Sequence, residues 1–225
     1  MAIWPLLPVR PFPDHGHVLA QIVLFDGFDP LDVIAPFEVL AAGSDAAGGD
    51  LAVELVSAEG PRPVVSGTCG LVLQATGRLD PSKPGYVIVP GASGPIDGDP
   101  DEVDTIPVLL ARFGDTAAVP LMRDALANPE VTVATVCGGS LALAMAGLLE
   151  GRRAATHHLG VDVLEATGVN VVHARVVDDG DLITAGGVTS GLDLALHLLD
   201  RGYGPQVAIA VEKLFEYERR GTVWS

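Results

Sequence analysis

Cys137 is the residue of this chain best placed to do chemistry. It ends the β-branched run Val131-Thr-Val-Ala-Thr-Val136. Gly138-Gly139-Ser140 and an alanine-rich apolar stretch to Leu149 follow it. A strand that stops on a nucleophile and turns at once into a helix makes an elbow, and small neighbours let other backbone approach the exposed side chain. The thiolate is the reactive form of cysteine, and positive potential at a helix N-terminus lowers a thiol's pKa. The pattern therefore predicts an activated thiol at residue 137. A buried structural cysteine in a strand–loop–helix crossover fits the local pattern equally well.

A nucleophilic thiol needs a proton-handling group and donors for a developing oxyanion. Asp32 sits in Phe28-Asp-Pro-Leu-Asp-Val-Ile-Ala-Pro36. Such apolar neighbours bury a carboxyl, and burial raises its pKa until it can donate a proton. From these residues alone, an ordinary first-turn acid of a helix is the simpler reading. Gly91 and Ala92 follow the apolar run Tyr86–Pro90 and offer backbone amides, as does Gly138. His157 and His158 are adjacent, so one is expected inside, where a histidine is more often a packing residue than a base. Cys69, between Gly67 and Gly70, is expected as a small buried residue of a hairpin. Asp97, Asp99, Asp101, Glu102 and Asp104 lack the regular spacing of a calcium loop and read as a solvated acidic insertion.

These residues need a scaffold that brings strand ends together. The periodicity predicts strands over Val18–Phe25, Leu51–Ser57, Val64–Thr68, Leu71–Ala75, Tyr86–Pro90, Val131–Val136, Ala154–His157, Val171–Val177 and Leu182–Thr184. It predicts helices over Asp29–Ala42 with Gly43 at the end, Thr105–Phe113, Ala118–Ala127, Gly139–Leu149, His158–Thr167, Ser190–Arg201 and Gly204–Glu218. Ser190 with Asp193 suggests a capping box, and Asp178-Asp179-Gly180-Asp181 suggests a hairpin. Strands alternating with helices specify an α/β fold, a doubly wound, mostly parallel sheet sandwiched by helices. Ligands of such sheets bind at the carboxyl ends of the strands, where all the candidates lie.

The length of 225 residues fits one domain over 18–225, with the acidic insertion near 95–118. Residues 1–17 read as an extended, proline-broken arm that packs on the body or on a partner subunit, with His15 and His17 solvated and Trp4 and Phe12 weighing against disorder. The arm lacks the basic start and unbroken apolar core of a signal peptide. A net charge of −16 disfavours binding nucleic acid through a basic face. No apolar run reaches the roughly 18 residues of a membrane span. Two cysteines far apart support neither a disulfide framework nor a zinc site, so a reducing, cytoplasmic setting with no metal and no cofactor is expected.

The chain resembles the ThiJ/PfpI superfamily, which has the flavodoxin-like, class I glutamine amidotransferase-like fold with a nucleophile elbow, and within it the isocyanide hydratase branch. The resembling segments are Phe25–Val33, Val87–Gly91, Thr135–Leu141, Ala146–His157 and Thr184–Asp193. Two departures stand out. Gly138 follows the cysteine where hydratases carry threonine and protease-like relatives carry histidine, and the segment between Gly94 and Ala118 is longer than usual.

The resemblance implies that Cys137 is the nucleophile, with Asp32 as the acidic partner near its sulfur. Backbone amides of Gly91 or Ala92 and of Gly138 would form the oxyanion hole, and Thr156 and His157 would line the site. It further implies a homodimer acting on a small molecule. The activity implied is hydration of an isocyanide to an N-substituted formamide. A glyoxalase-type or amidase-type enzyme and a non-enzymatic cysteine redox sensor are the alternatives.

Overall fold

A computed structural model describes residues 18–99 and 102–225. The predicted arm, with Trp4, Phe12, His15 and His17, lies outside the described residues. The strands are β1 (Val18–Val23), β2 (Leu51–Ser57), β3 (Arg62–Val65), β4 (Val72–Ala75), β5 (Gly77–Arg78), β6 (Gly85–Val89), β7 (Val131–Thr135), β8 (Arg153–Ala154), β9 (Asn170–Val171), β10 (Val176–Asp178) and β11 (Leu182–Ala185). The helices are α1 (Pro30–Ala47), α2 (Ile106–Phe113), α3 (Ala118–Ala127), α4 (Gly139–Met145), α5 (Val161–Ala166), α6 (Ser190–Tyr203) and α7 (Pro205–Phe215).

Seven strands form one sheet in the order β10-β11-β7-β6-β1-β2-β5. All neighbours are parallel except β10 against β11. Strands covered on both faces must be apolar throughout, and all five residues of β6 are buried. The chain leaves β1 towards β2 on one side and later returns through β6 and β7 on the other. The order therefore reverses beside β1, which opens a crevice at the carboxyl ends. The register brings those ends into step: Ile22 pairs with Ile88, and Ile88 with Ala134. The loops after β1, β6 and β7 thus leave the sheet at one level.

Each of these loops gives the site one group. After β1, Asp29 caps α1 by accepting the Leu31 amide at 2.9 Å, and Pro30 fills the first helical position, where its missing N–H is harmless. That cap fixes Asp32 in the first turn. After β6 comes Gly91, and after β7 comes Cys137.

Three local expectations are corrected. The first helix does not stop at Gly43 but runs to Ala47, with left-handed Gly48 closing it. Gly43 serves packing instead, since a Cβ there would lie 2.3 Å from Leu199 Cδ2 of α6. Cys69 is exposed, at the tip of the β3–β4 hairpin with φ 50°, because a tight turn projects its central residues into solvent. Ser190 and Asp193 form no capping box. Thr189 precedes α6 without a side-chain cap, and the Asp193 carboxylate accepts from Arg175, from the Tyr217 hydroxyl at 2.9 Å and from the Arg220 amide at 2.7 Å. A buried carboxylate with a guanidinium in reach gains more there than from one helix-end amide.

Candidate active site

Cys137 stands between β7 and α4 with φ 55°, a left-handed conformation that few non-glycine residues adopt. The surroundings hold it there. Its amide donates to Ala185 O at 3.1 Å, and its carbonyl accepts the Thr156 hydroxyl at 2.9 Å. Ser140 Oγ donates to Ala155 O at 2.8 Å and ties the start of α4 to the strand end that carries Thr156. Gly139 is obligatory, because a Cβ there would lie 2.2 Å from Val89 O. Gly91 is equally constrained, since its Cβ would lie 2.6 Å from Gly138 N and 2.9 Å from Asp32 Oδ2. The glycines of the motif therefore let three loops meet at backbone distance around one thiol.

Asp32 is fully buried. Its Oδ2 accepts the Gly91 amide at 2.8 Å, while Oδ1 has no hydrogen-bond partner. The Cys137 thiol lies close enough that each group shifts the other's proton affinity. Loss of hydration, reinforced by the charge of Asp29, pushes the Asp32 carboxyl up to about 8. Burial, and then the Asp32 charge, push the thiol well above its usual range, although the Gly138 amide faces the sulfur and opposes the shift. Burial opposes the thiol activation expected from the helix N-terminus, for Cys137 is only 7% exposed.

The other predicted residues fare differently. The Gly91 amide, expected as an oxyanion donor, is taken by Asp32. Ala92 bridges Phe28, so the loop after β6 is sewn to the loop after β1. Thr156 reaches the elbow, as described. His157 does not: its Nδ1 accepts the Leu159 amide at 3.2 Å and caps a single 3-10 turn, His158–Gly160. Burial and the neighbouring His158 hold its pKa below the usual histidine value. A cavity of about 330 Å³ adjoins Thr156 and is lined also by His158, His173, Arg175, Gly186 and Ser190. Leu109 and Leu110 of α2 were missed by sequence reasoning. The sequence places them only within a helix over Thr105–Phe113, yet they pack against the glycines of the site. Among the described residues, no three His, Cys, Asp or Glu side chains cluster as a metal site, and no helix is long and apolar enough to cross a membrane.

A reversal of strand order beside β1, with a buried carboxyl and a left-handed cysteine at the strand ends, invites comparison with known proteins. The DJ-1/PfpI family profile matches residues 107–201. Isonitrile hydratase of Pseudomonas putida is 36% identical over 200 residues, spanning 87% of this chain and 76% of that protein. The chain belongs to the DJ-1/PfpI family. Within the DJ-1/PfpI relatives, the HTH-type transcriptional regulator CdhR of Pseudomonas aeruginosa is 29% identical over 196 residues, and the match spans 53% of its length. A ThiJ/PfpI family protein from Pseudomonas syringae shares the fold with a TM-score of 0.72 at 24% identity, over 98% of this chain and 84% of that one. DJ-1beta of Drosophila melanogaster shares it with a TM-score of 0.70 at 20% identity, over 89% of this chain and 98% of that one.

Proposed function

We propose that this DJ-1/PfpI protein is a cysteine-dependent hydratase of small carbon electrophiles, with isocyanides as substrates and N-substituted formamides as products. One observation carries the reading: a fully buried carboxyl, Asp32, held by the Gly91 amide on its Oδ2, stands beside the left-handed Cys137 where the strand ends meet. Burial raises the Asp32 carboxyl to about 8 and pushes the thiol up as well, so the site favours the protonated form of each. Because Oδ2 accepts from Gly91, the carboxyl proton belongs on Oδ1. Such a pair is weighted by burial towards its protonated forms rather than towards the thiolate that peroxide sensing uses. It suits an addition that consumes a proton as the sulfur attacks. An isocyanide carbon accepts both a nucleophile and a proton, and the likeness to isonitrile hydratase supports that substrate class.

Asp32 gives its proton to the isocyanide carbon while the Cys137 sulfur bonds to the same carbon. The S–H proton passes to the carboxylate, leaving a thioimidate, Cys–S–CH=N–R. Asp32 is then neutral and polarises the imine nitrogen. Water adds to the carbon, its oxygen bonding there and one proton reaching the nitrogen. The C–S bond breaks, the hydroxyl proton returns to the sulfur, and R–NH–CHO leaves. The sum is one isocyanide and one water giving one formamide. The Gly138 amide, facing the sulfur, stabilises the charge that grows there as the C–S bond breaks. The Ala92 amide is the proposed donor to the oxygen that water brings.

Formamide formation from an aliphatic isocyanide, followed by NMR, tests the reading. Wild type turns over and Cys137→Ala does not. Asp32→Asn falls by about 10² or more, the typical contribution of a positioned general acid. Turnover of Cys137→Ala at the wild-type rate overturns the proposal.

A further inference from the structure

Gly138 has ordinary right-handed helical backbone, φ −75° and ψ −2°, which every L-residue adopts. Nothing in its conformation calls for glycine; the constraint beside it is the side chain of Leu110. A Cβ there would lie 3.0 Å from Leu110 Cδ1 and 3.4 Å from Leu110 Cδ2. Leu110 comes from α2, the helix of the long segment between β6 and α3, and is 1% exposed. Beside it, buried Leu109 presses on Gly27, where a Cβ would lie 2.6 Å from Leu109 Cδ2. Leu109 Cδ1 would also lie 3.8 Å from a Cβ at Gly94. Gly27, Gly94 and Gly138 belong to the loops that follow β1, β6 and β7. Two consecutive leucines of one helix therefore meet all three loops that build the site. The Ile106 amide donating to Pro95 O at 2.9 Å fastens the start of α2 to the segment after β6. The helix that follows the acidic run of the insertion thus packs against the loops of the site.

We propose that Leu110 is the specificity-determining residue of the thiol site: seated against Gly138, it narrows the approach to the Cys137 sulfur. The site then admits electrophiles with a slim, unbranched head, such as n-alkyl isocyanides, and rejects those branched at the carbon joined to nitrogen. Burial of both reacting groups fits a narrow approach, with Cys137 only 7% exposed and Asp32 fully buried. This inference rests on the isocyanide reading for its substrate class, while its geometric part concerns the thiol alone.

The test compares kcat/KM for n-butyl and tert-butyl isocyanide in wild type, Leu110→Ala, Gly138→Ala and the double variant. Wild type is expected to prefer the n-butyl compound by more than about tenfold, in the range that a crowded apolar pocket gives per added carbon. Leu110→Ala should shrink that preference at least fivefold. Gly138→Ala should slow both substrates, and the double variant should recover the loss because the Cβ then has room. A parallel measurement needs no isocyanide activity: alkylation of Cys137 at pH 9 in a Cys69→Ser background, iodoacetamide against 2-iodopropionamide, each normalised to free cysteine. Leu110→Ala should accelerate the branched reagent selectively. A shifted alkylation ratio without any isocyanide turnover overturns the substrate class and keeps the wall. An unchanged ratio in folded Leu110→Ala, verified by circular dichroism, overturns the role of Leu110. Should that variant fail to fold, Leu110→Val is read by the same two criteria.

Discussion

Replacing Asp32 by asparagine should make two stability curves cross. The wild-type carboxyl is raised from 3.8 in the unfolded chain to about 8 in the fold. Between those values the folded state binds the extra proton, so stability falls as pH rises through the window and is fully present only below it. At pH 7 the shortfall spans about 3.2 pH units at about 1.36 kcal/mol each, or about 4 kcal/mol. Asparagine removes this term at every pH. Its oxygen still accepts the Gly91 amide, and its NH₂ replaces the protonated Oδ1, leaving one N–H unpaired at about 1–3 kcal/mol. Asp32→Asn should therefore be less stable than wild type by about 1–3 kcal/mol near pH 4, where the carboxyl costs nothing. It should be more stable by a similar amount at pH 7–8. Urea unfolding of both proteins from pH 4 to pH 8.5 measures the difference, and the other acidic residues cancel in the comparison. Parallel curves would show that the carboxyl titrates normally. A variant that loses ground as pH rises would show that Asp32 is held ionised. Either result removes the protonated pair on which the proposed chemistry depends.

Because the proposed acid must keep its proton, turnover should be level below about pH 7.5 and fall about tenfold per unit above about pH 8, in a kcat–pH profile. Rising activity through pH 9 would favour a preformed thiolate instead. At pH 7.5 a maleimide should label exposed Cys69 well before Cys137, as peptide mass spectrometry reads; equal rates would refute the raised thiol. Gly139→Ala forces a Cβ to 2.2 Å from Val89 O and should cost about 3 kcal/mol or more, seen as a lowered urea midpoint. Gly43→Ala sets about 1 kcal/mol of helix propensity against overpacking on Leu199 and should come out destabilising by about 1–2 kcal/mol. A stabilised variant would show that α6 can move away from α1.

What the sequence disclosed about this site follows from how far each cause lies along the chain. The sharp strand-to-helix turn at Cys137 was legible because strand, turn and small residues are consecutive, and Cys137 takes φ 55° where the pattern put the turn. The buried carboxyl was legible in part: the apolar residues around Asp32 predicted burial, but only the fold brings the Gly91 amide to Oδ2. The surroundings of the thiol were legible in part for the same reason. A helix N-terminus is visible in sequence, whereas the desolvation that opposes it comes from three loops closing together. Asp193 shows the limit again, since its partners Arg175 and Tyr217 stand 18 and 24 residues away and override a local cap. Gly138 is the sharpest case. In sequence it reads as a side chain removed from beside the nucleophile, which implies open space. In the fold, Leu110 occupies the neighbouring volume, so an empty position in the motif and an apolar residue 28 positions earlier are two halves of one wall. A lost side chain at an active site therefore does not by itself widen it; whether the approach to Cys137 is open depends on what α2 places against the glycine.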